Sequence, residues 1–110
     1  MKKLHHSVYV VQLDKDVMRE KKFLKANPHI SPNKGYETPL YVGMTGLPVE
    51  TRFQNHKHGH KSSRYVRKYG VKLLPKLYKH LNLMTYEEAV QMEKQCADML
   101  REASHPVWQR

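Results

Sequence analysis

Cysteine and acidic side chains are scarce in this chain, and no long apolar run interrupts it. Its 110 residues include one cysteine, Cys96, so no disulfide can close within it. Such usage fits a reducing compartment. No apolar stretch approaches the roughly 20 residues that a membrane-crossing helix needs. The opening, Met1-Lys2-Lys3-Leu4-His5-His6, is basic but lacks the apolar core of a signal peptide. The expected location is therefore intracellular, in the cytoplasm or with the nucleic acid of a nucleoid or nucleus, with no membrane partner. Zinc-type spacing is also missing, since there is no Cys-x-x-Cys and no His-Glu-x-x-His. His56, His58 and His60 alternate, but a helix through them would point them apart, and Gly59 would end it. Cys96 falls on an apolar helix face and reads as a core residue rather than a nucleophile.

What is abundant is positive charge. Lys and Arg total 20 against 10 acidic residues, a formal charge of +10. This excess favours polyanions: DNA, RNA or an anionic membrane face. A soluble basic protein, such as a ribosomal one, has the same balance. Hydrophobic residues make up 39%, enough for a buried core. The length suits one domain and leaves no room for a separate target-recognition domain. Target choice would then fall to a protein partner or a homodimer.

Ser7 to Leu13 (SVYVVQL) is rich in β-branched and aromatic residues and predicts a buried strand. Residues 14–39 differ in texture. Their first half is charged with sparse apolar positions and suits a short surface helix. The second half carries three prolines and a glycine and predicts loop. Pro39 to Met44 predicts a second strand. Pro48 suits the first position of a helix running to about His58, with Val49 and Phe53 on its packed face. Ser62 or Ser63 can cap a second helix, RYVRKY, ended by Gly70. Val71 to Leu81 alternates and predicts a third strand, with Pro75 at an edge or bulge. Thr85-x-x-Glu88 is a capping box opening a helix to about Ala103. Its apolar stripe is Ala89, Met92, Cys96, Met99, Leu100 and Ala103. The tail, with Pro106 and Trp108, can fold back onto the core. The expected fold is a single α+β domain: a small, mainly antiparallel three-stranded sheet flanked by helices, with an insert at about 14–38.

Some side chains could carry chemistry. Glu93 lies within or beside the apolar stripe of the last helix. A buried carboxylate is costly unless paired or bound to a cation. On spacing alone an ion pair with a core-facing Arg or Lys accounts for it. Arg52 and His56 share a helix face at i, i+4. Arg offers a planar fork for phosphate oxygens, and His can carry a proton near neutral pH. A solvated face on a basic protein explains the pair equally. Tyr9 and Tyr41 lie in strands, where tyrosine is usually structural, and a phenol with a pKa of ~10 is a poor base at neutral pH.

The joint pattern says more than its parts. Ser7-Val8-Tyr9, Tyr41-Val42-Gly43, Arg52, His56, Gly59 and Glu93 occur in order on matching elements. This arrangement resembles the GIY-YIG nuclease family. The string YVGMTGLPVETRFQNHKHG looks like that family's second motif followed by its Arg-x-x-x-His helix, and TYEEAVQMEKQ resembles the helix carrying its glutamate. Two features depart from the pattern: Ser7 stands where glycine is usual, and the insert between Tyr9 and Tyr41 is long. The resemblance implies a metal-dependent endonuclease acting on DNA, or on RNA. Glu93 would be the sole protein ligand of a divalent ion, Mg²⁺ or Mn²⁺. Tyr9 would activate the attacking water and Tyr41 would position it. Arg52 would hold the phosphate, and His56 would orient a phosphate or tyrosine or share the base role. Gly43 would let backbone approach the site.

Lys57, Lys61, Arg64, Arg67 and Lys68, interleaved with Tyr65 and Tyr69, would bind phosphates along the nucleic acid. A scattered solvated surface explains these cations equally. Two other functions fit the same sequence: a non-catalytic nucleic-acid-binding module of this fold, and a basic RNA-binding adaptor. Metal dependence separates the first reading from both.

Overall fold

Strands that are apolar on both faces must be covered on both faces. The computed structural model, which describes residues 4–31, 33–59 and 63–109, places two such strands at its centre. In β1, Ser7–Leu13, every residue but Gln12 is buried, and in β2, Leu40–Thr45, all are buried. They pair antiparallel with Tyr9 opposite Gly43 and Val11 opposite Tyr41. Side chains alternate along a strand, so this register puts Tyr9, Val11, Tyr41 and Gly43 on one face. Val8, Val10, Val42 and Met44 occupy the other.

The sheet is mixed and has four strands, in the order β3 (Gly70–Leu73), β1, β2, β4 (Val107–Gln109). The α+β class agrees with expectation; the strand count does not. The added strand, β4 (Val107–Gln109), runs parallel to β2. It is too short to announce itself by alternation. Its place is set by partners: the Leu40 N–H donates to the Pro106 carbonyl at 2.8 Å, and the Val107 N–H donates to buried Asn27 Oδ1 at 2.7 Å. The third strand also differs. β3 spans Gly70–Leu73 and gives way to 3₁₀ turns at Pro75–Leu77 and Lys79–Leu81. Pro75 has no N–H for a ladder, so the strand stops before it. The Asn82 side chain then takes over the free edge of β1, donating to the Val8 carbonyl at 2.9 Å and accepting from the Val8 N–H at 3.0 Å.

The first half of the insert is part of the core. A 3₁₀ turn at Lys15–Arg19 buries Val17, and α1, Lys21–Lys25, buries Phe23. The Phe23 ring centroid lies 5.8 Å from that of Tyr65 and 6.5 Å from that of Trp108, and Tyr65 meets Trp108 edge-on at 4.7 Å. This aromatic cluster ties the insert and the tail to the Arg64–Tyr69 helix. Helices α2, Val49–Lys57, and α3, Arg64–Tyr69, follow β2. Pro48 sits one position earlier than expected, at the N-cap of α2. Ser63 occupies the N-cap of α3 but makes no side-chain cap bond, and Ser62 lies outside the described residues.

Helix α4, Tyr86–Glu102, opens on the expected capping box: Thr85 Oγ1 accepts from the Glu88 N–H at 3.2 Å and Glu88 Oε1 from the Thr85 N–H at 3.0 Å. It packs along β1, β2 and β4. Its buried stripe is Ala89, Glu93, Cys96 and Ala97, with Met92 and Leu100 half-buried. Met99 is 68% exposed and Ala103 is exposed, against expectation. The i, i+4, i+7, i+8 spacing from Ala89 to Ala97 turns small residues onto the sheet and carries Met99 off it. Among the described residues no helix is long and apolar enough to cross a membrane.

Candidate active site

Tyr9 and Tyr41 are diagonal neighbours on one sheet face, with ring centroids 6.1 Å apart. Gly43, opposite Tyr9, is what lets them lie there. A Cβ on Gly43 would stand 2.7 Å from Tyr9 Oη, 2.8 Å from Tyr9 Cζ and 2.9 Å from Tyr41 Cε1. The room left by the missing side chain is therefore filled by the Tyr9 phenol itself. Gly43 acts here through the tyrosines.

Helix α2 lays His56 over this face. Its ring centroid is 5.6 Å from that of Tyr41 and 6.1 Å from that of Tyr9. His56 Nε2 and Tyr9 Oη are 2.7 Å apart, and the Ser63 N–H meets His56 Nδ1 at 2.9 Å. A backbone N–H can only donate, so Nδ1 accepts. In a neutral ring the proton must then sit on Nε2, which donates to Tyr9 Oη. The ring is kept neutral by its surroundings: burial first, and the Arg52 charge second, push its pKa down to about 4. His56 is thus a hydrogen-bond donor to Tyr9, and its only acceptor nitrogen is occupied.

Burial, and next the neighbouring Tyr41, push the Tyr9 pKa above its ordinary value, while Arg52 opposes them. Arg52 is four residues before His56 and partly exposed, so it joins the cluster from the same helix. Side-chain hydrogen bonding links Tyr9 to both Tyr41 and Arg52. Four of the expected site residues, Tyr9, Tyr41, Arg52 and His56, are therefore brought together. Glu93 arrives on α4, which packs against the two strands that carry the tyrosines, and it is buried. Exposure is 0% for Tyr9 and His56, 1% for Tyr41 and 6% for Glu93. Solvent reaches the cluster at its Arg52 side.

The expected phosphate-binding residues are arranged less uniformly. Lys57 Nζ donates to the Gly70 carbonyl at 2.8 Å, linking the end of α2 to the end of α3. Arg64 and Lys68 face Glu20, with N···O separations of 3.8 and 3.4 Å. Arg67 is exposed, close to Gly59. Lys61 lies outside the described residues, as does His60. Tyr65 is buried in the aromatic cluster, and Tyr69 Oη donates to Glu20 Oε2 at 2.6 Å. Tyr65 therefore offers no stacking surface, and half-buried Tyr69 has its ring under the Lys68 ammonium, 5.2 Å from the centroid.

Three contributors escaped the sequence reading: the Ser63 N–H, Asn82 and Glu20. Each meets its partner across a loop or from a distant segment, and no spacing rule announces them. For a divalent ion, Glu93 would offer a hard carboxylate oxygen, the donor type that Mg²⁺ and Mn²⁺ take. Among the described residues no three His, Cys, Asp or Glu side chains cluster to form a cage. His58 is exposed at the C-cap of α2, and His56 is committed to Tyr9 and Ser63. No family model matches the chain, and no similar curated protein or solved structure was found.

Proposed function

We propose that the chain is a metal-dependent endonuclease that hydrolyses phosphodiester bonds in DNA. The observation that carries this reading is the polar cluster of Tyr9, His56 and Arg52, seated against a glycine hollowed to receive it. Burying so many polar groups is costly, and a purely structural core has cheaper solutions. The formal charge of +10 suits a polyanionic substrate.

The resemblance to the GIY-YIG pattern gives each group a role. Arg52, the partly exposed member, would receive a phosphate oxygen and stabilise charge that grows on it. Tyr9, after giving up its own proton to solvent, would accept the proton of the attacking water. His56 Nε2–H and the Arg52 guanidinium favour that ionised form and so oppose the effect of burial. Tyr41 would orient the water or the Tyr9 hydroxyl. Glu93 would hold the Mg²⁺ or Mn²⁺ ion. Such an ion, when bound, neutralises charge at the scissile phosphate and assists departure of the 3′ oxygen. By its resemblance to the GIY-YIG pattern, the chain would leave a 5′ phosphate and a 3′ hydroxyl.

The test is cleavage of plasmid and branched DNA at low salt with Mg²⁺, Mn²⁺ or EDTA, comparing wild type with Glu93→Ala and Arg52→Ala. Metal-dependent nicking lost in both folded variants is the expected result. Full activity in either variant removes the proposed site. One observation favours a second reading. The near-complete burial of Tyr9, Tyr41 and His56 also suits a non-catalytic nucleic-acid-binding module, in which the cluster serves the core. Binding without cleavage in every metal would select it. Preference for RNA with no metal effect would instead select an RNA-binding adaptor.

A further inference from the structure

Glu20 is an acid in basic company. It follows Arg19 and precedes Lys21 and Lys22. Its backbone joins the 3₁₀ turn to α1, and the buried Val17 and Phe23 on either side anchor it. Its carboxylate is thereby presented to α3. There it accepts from Tyr69 Oη at 2.6 Å and faces Lys68 Nζ at 3.4 Å and Arg64 at 3.8 Å. The two cations, one helical turn apart, are 69% and 57% exposed in their side chains, and the carboxylate is 19% exposed. The tyrosine hydroxyl, then Lys68, hold the Glu20 carboxyl below its ordinary pKa, so it is ionised at neutral pH. This is the arrangement a phosphate would find: a guanidinium and an ammonium around one anionic oxygen pair. Ion pairs this exposed are weak and exchangeable. With Tyr65 buried and the half-buried Tyr69 committed to Glu20 and Lys68, the exposed groups of this face suit a backbone rather than stacked bases.

We propose that Glu20 stands on α3 in the place of a nucleic-acid phosphate, and that Arg64 and Lys68 bind backbone phosphate by exchanging this carboxylate for it. The insert then acts as a built-in competitor that lowers affinity and sets its salt response. The proposal rests on the reading of nucleic acid as partner, and it does not depend on cleavage.

The experiment is binding of the full chain to a labelled DNA duplex in EDTA, over a salt series. The proteins are wild type, Glu20→Gln, Arg64→Ala/Lys68→Ala and the triple variant, with exposed Glu102→Gln as a control for net charge. Glu20→Gln should bind about two- to fivefold tighter at low salt. Its log K against log salt slope should steepen by about 1. The gain should vanish in the Arg64→Ala/Lys68→Ala background and be absent in Glu102→Gln. Tyr69→Phe keeps every charge but loosens the carboxylate, and it should tighten binding in the same direction; it decides the matter if Glu20→Gln fails to fold. Unchanged or weaker binding by Glu20→Gln or Tyr69→Phe overturns the exchange, as does an equal gain without Arg64 and Lys68. Absence of DNA binding by wild type, with retention on anionic vesicles, overturns the nucleic-acid reading and this inference with it. Binding without cleavage overturns only the nuclease reading.

Discussion

Replacing Gly43 with alanine adds one methyl group at the most crowded point of the sheet. The glycine has no positive φ, so the backbone accepts alanine and the effect is purely steric. The methyl carbon would lie 2.7 Å from Tyr9 Oη and 2.9 Å from Tyr41 Cε1, both side chains being at most 1% exposed. Neither ring can swing out without opening the core. Overpacking of this kind costs about 1–3 kcal/mol. If Tyr9 is displaced, the 2.7 Å bond to His56 is lost, and a buried unpaired donor adds about 1–3 kcal/mol. The expected loss is therefore on the order of 2–6 kcal/mol. Urea unfolding, read as a shift in midpoint at constant slope, measures it. The loss should shrink in a Tyr9→Phe background, where the closest contact and the hydrogen bond are already gone, so the two substitutions are non-additive. Any nuclease activity should fall with the geometry of Tyr9. A Gly43→Ala protein within about 0.5 kcal/mol of wild type would refute the close-packing argument.

His56 makes stability depend on pH. Its folded pKa, about 4, lies below its ordinary 6.5, so its contribution is whole above pH 6.5 and is lost as pH falls toward 4. His56→Gln should remove on the order of 2 kcal/mol of that acid-side slope in urea midpoints taken from pH 7.5 to 4; an unchanged slope would mean the ring charges freely. Nitrogen chemical shifts of the same ring should report a protonated Nε2 and a bare Nδ1 from pH 6 to 8, and the opposite tautomer would contradict the Ser63 bond. Asn82→Ala strips both side-chain bonds from the edge of β1 and should cost about 1–3 kcal/mol, with faster amide exchange at Val8. Protection at Val8 equal to wild type would show that the edge is held by something else.

Local rules were enough for much of the scaffold. The capping box at Thr85, the stop at Gly70, the apolar β1 and β2 and the Arg52–His56 spacing each depend on residues within a few positions of one another. Backbone sterics and helix periodicity act at that range, so these features were legible in the sequence. The order Tyr9, Tyr41, Arg52, His56 also anticipated the residues that meet. Register, however, is a tertiary decision. Only the pairing of Tyr9 with Gly43 shows that the glycine makes room for a phenol, and only the approach of Ser63 shows which nitrogen of His56 carries the proton. Burial lowers one pKa and raises the other, and no local rule states who will be buried. The fourth strand needed Asn27 and Pro106 to hold three tail residues against β2. The insert looked like surface until Phe23 met Tyr65 and Trp108, and Glu20 gains its partners only once α3 is folded against it. Such contacts join segments tens of residues apart, and their energies exist only once the chain has closed those loops.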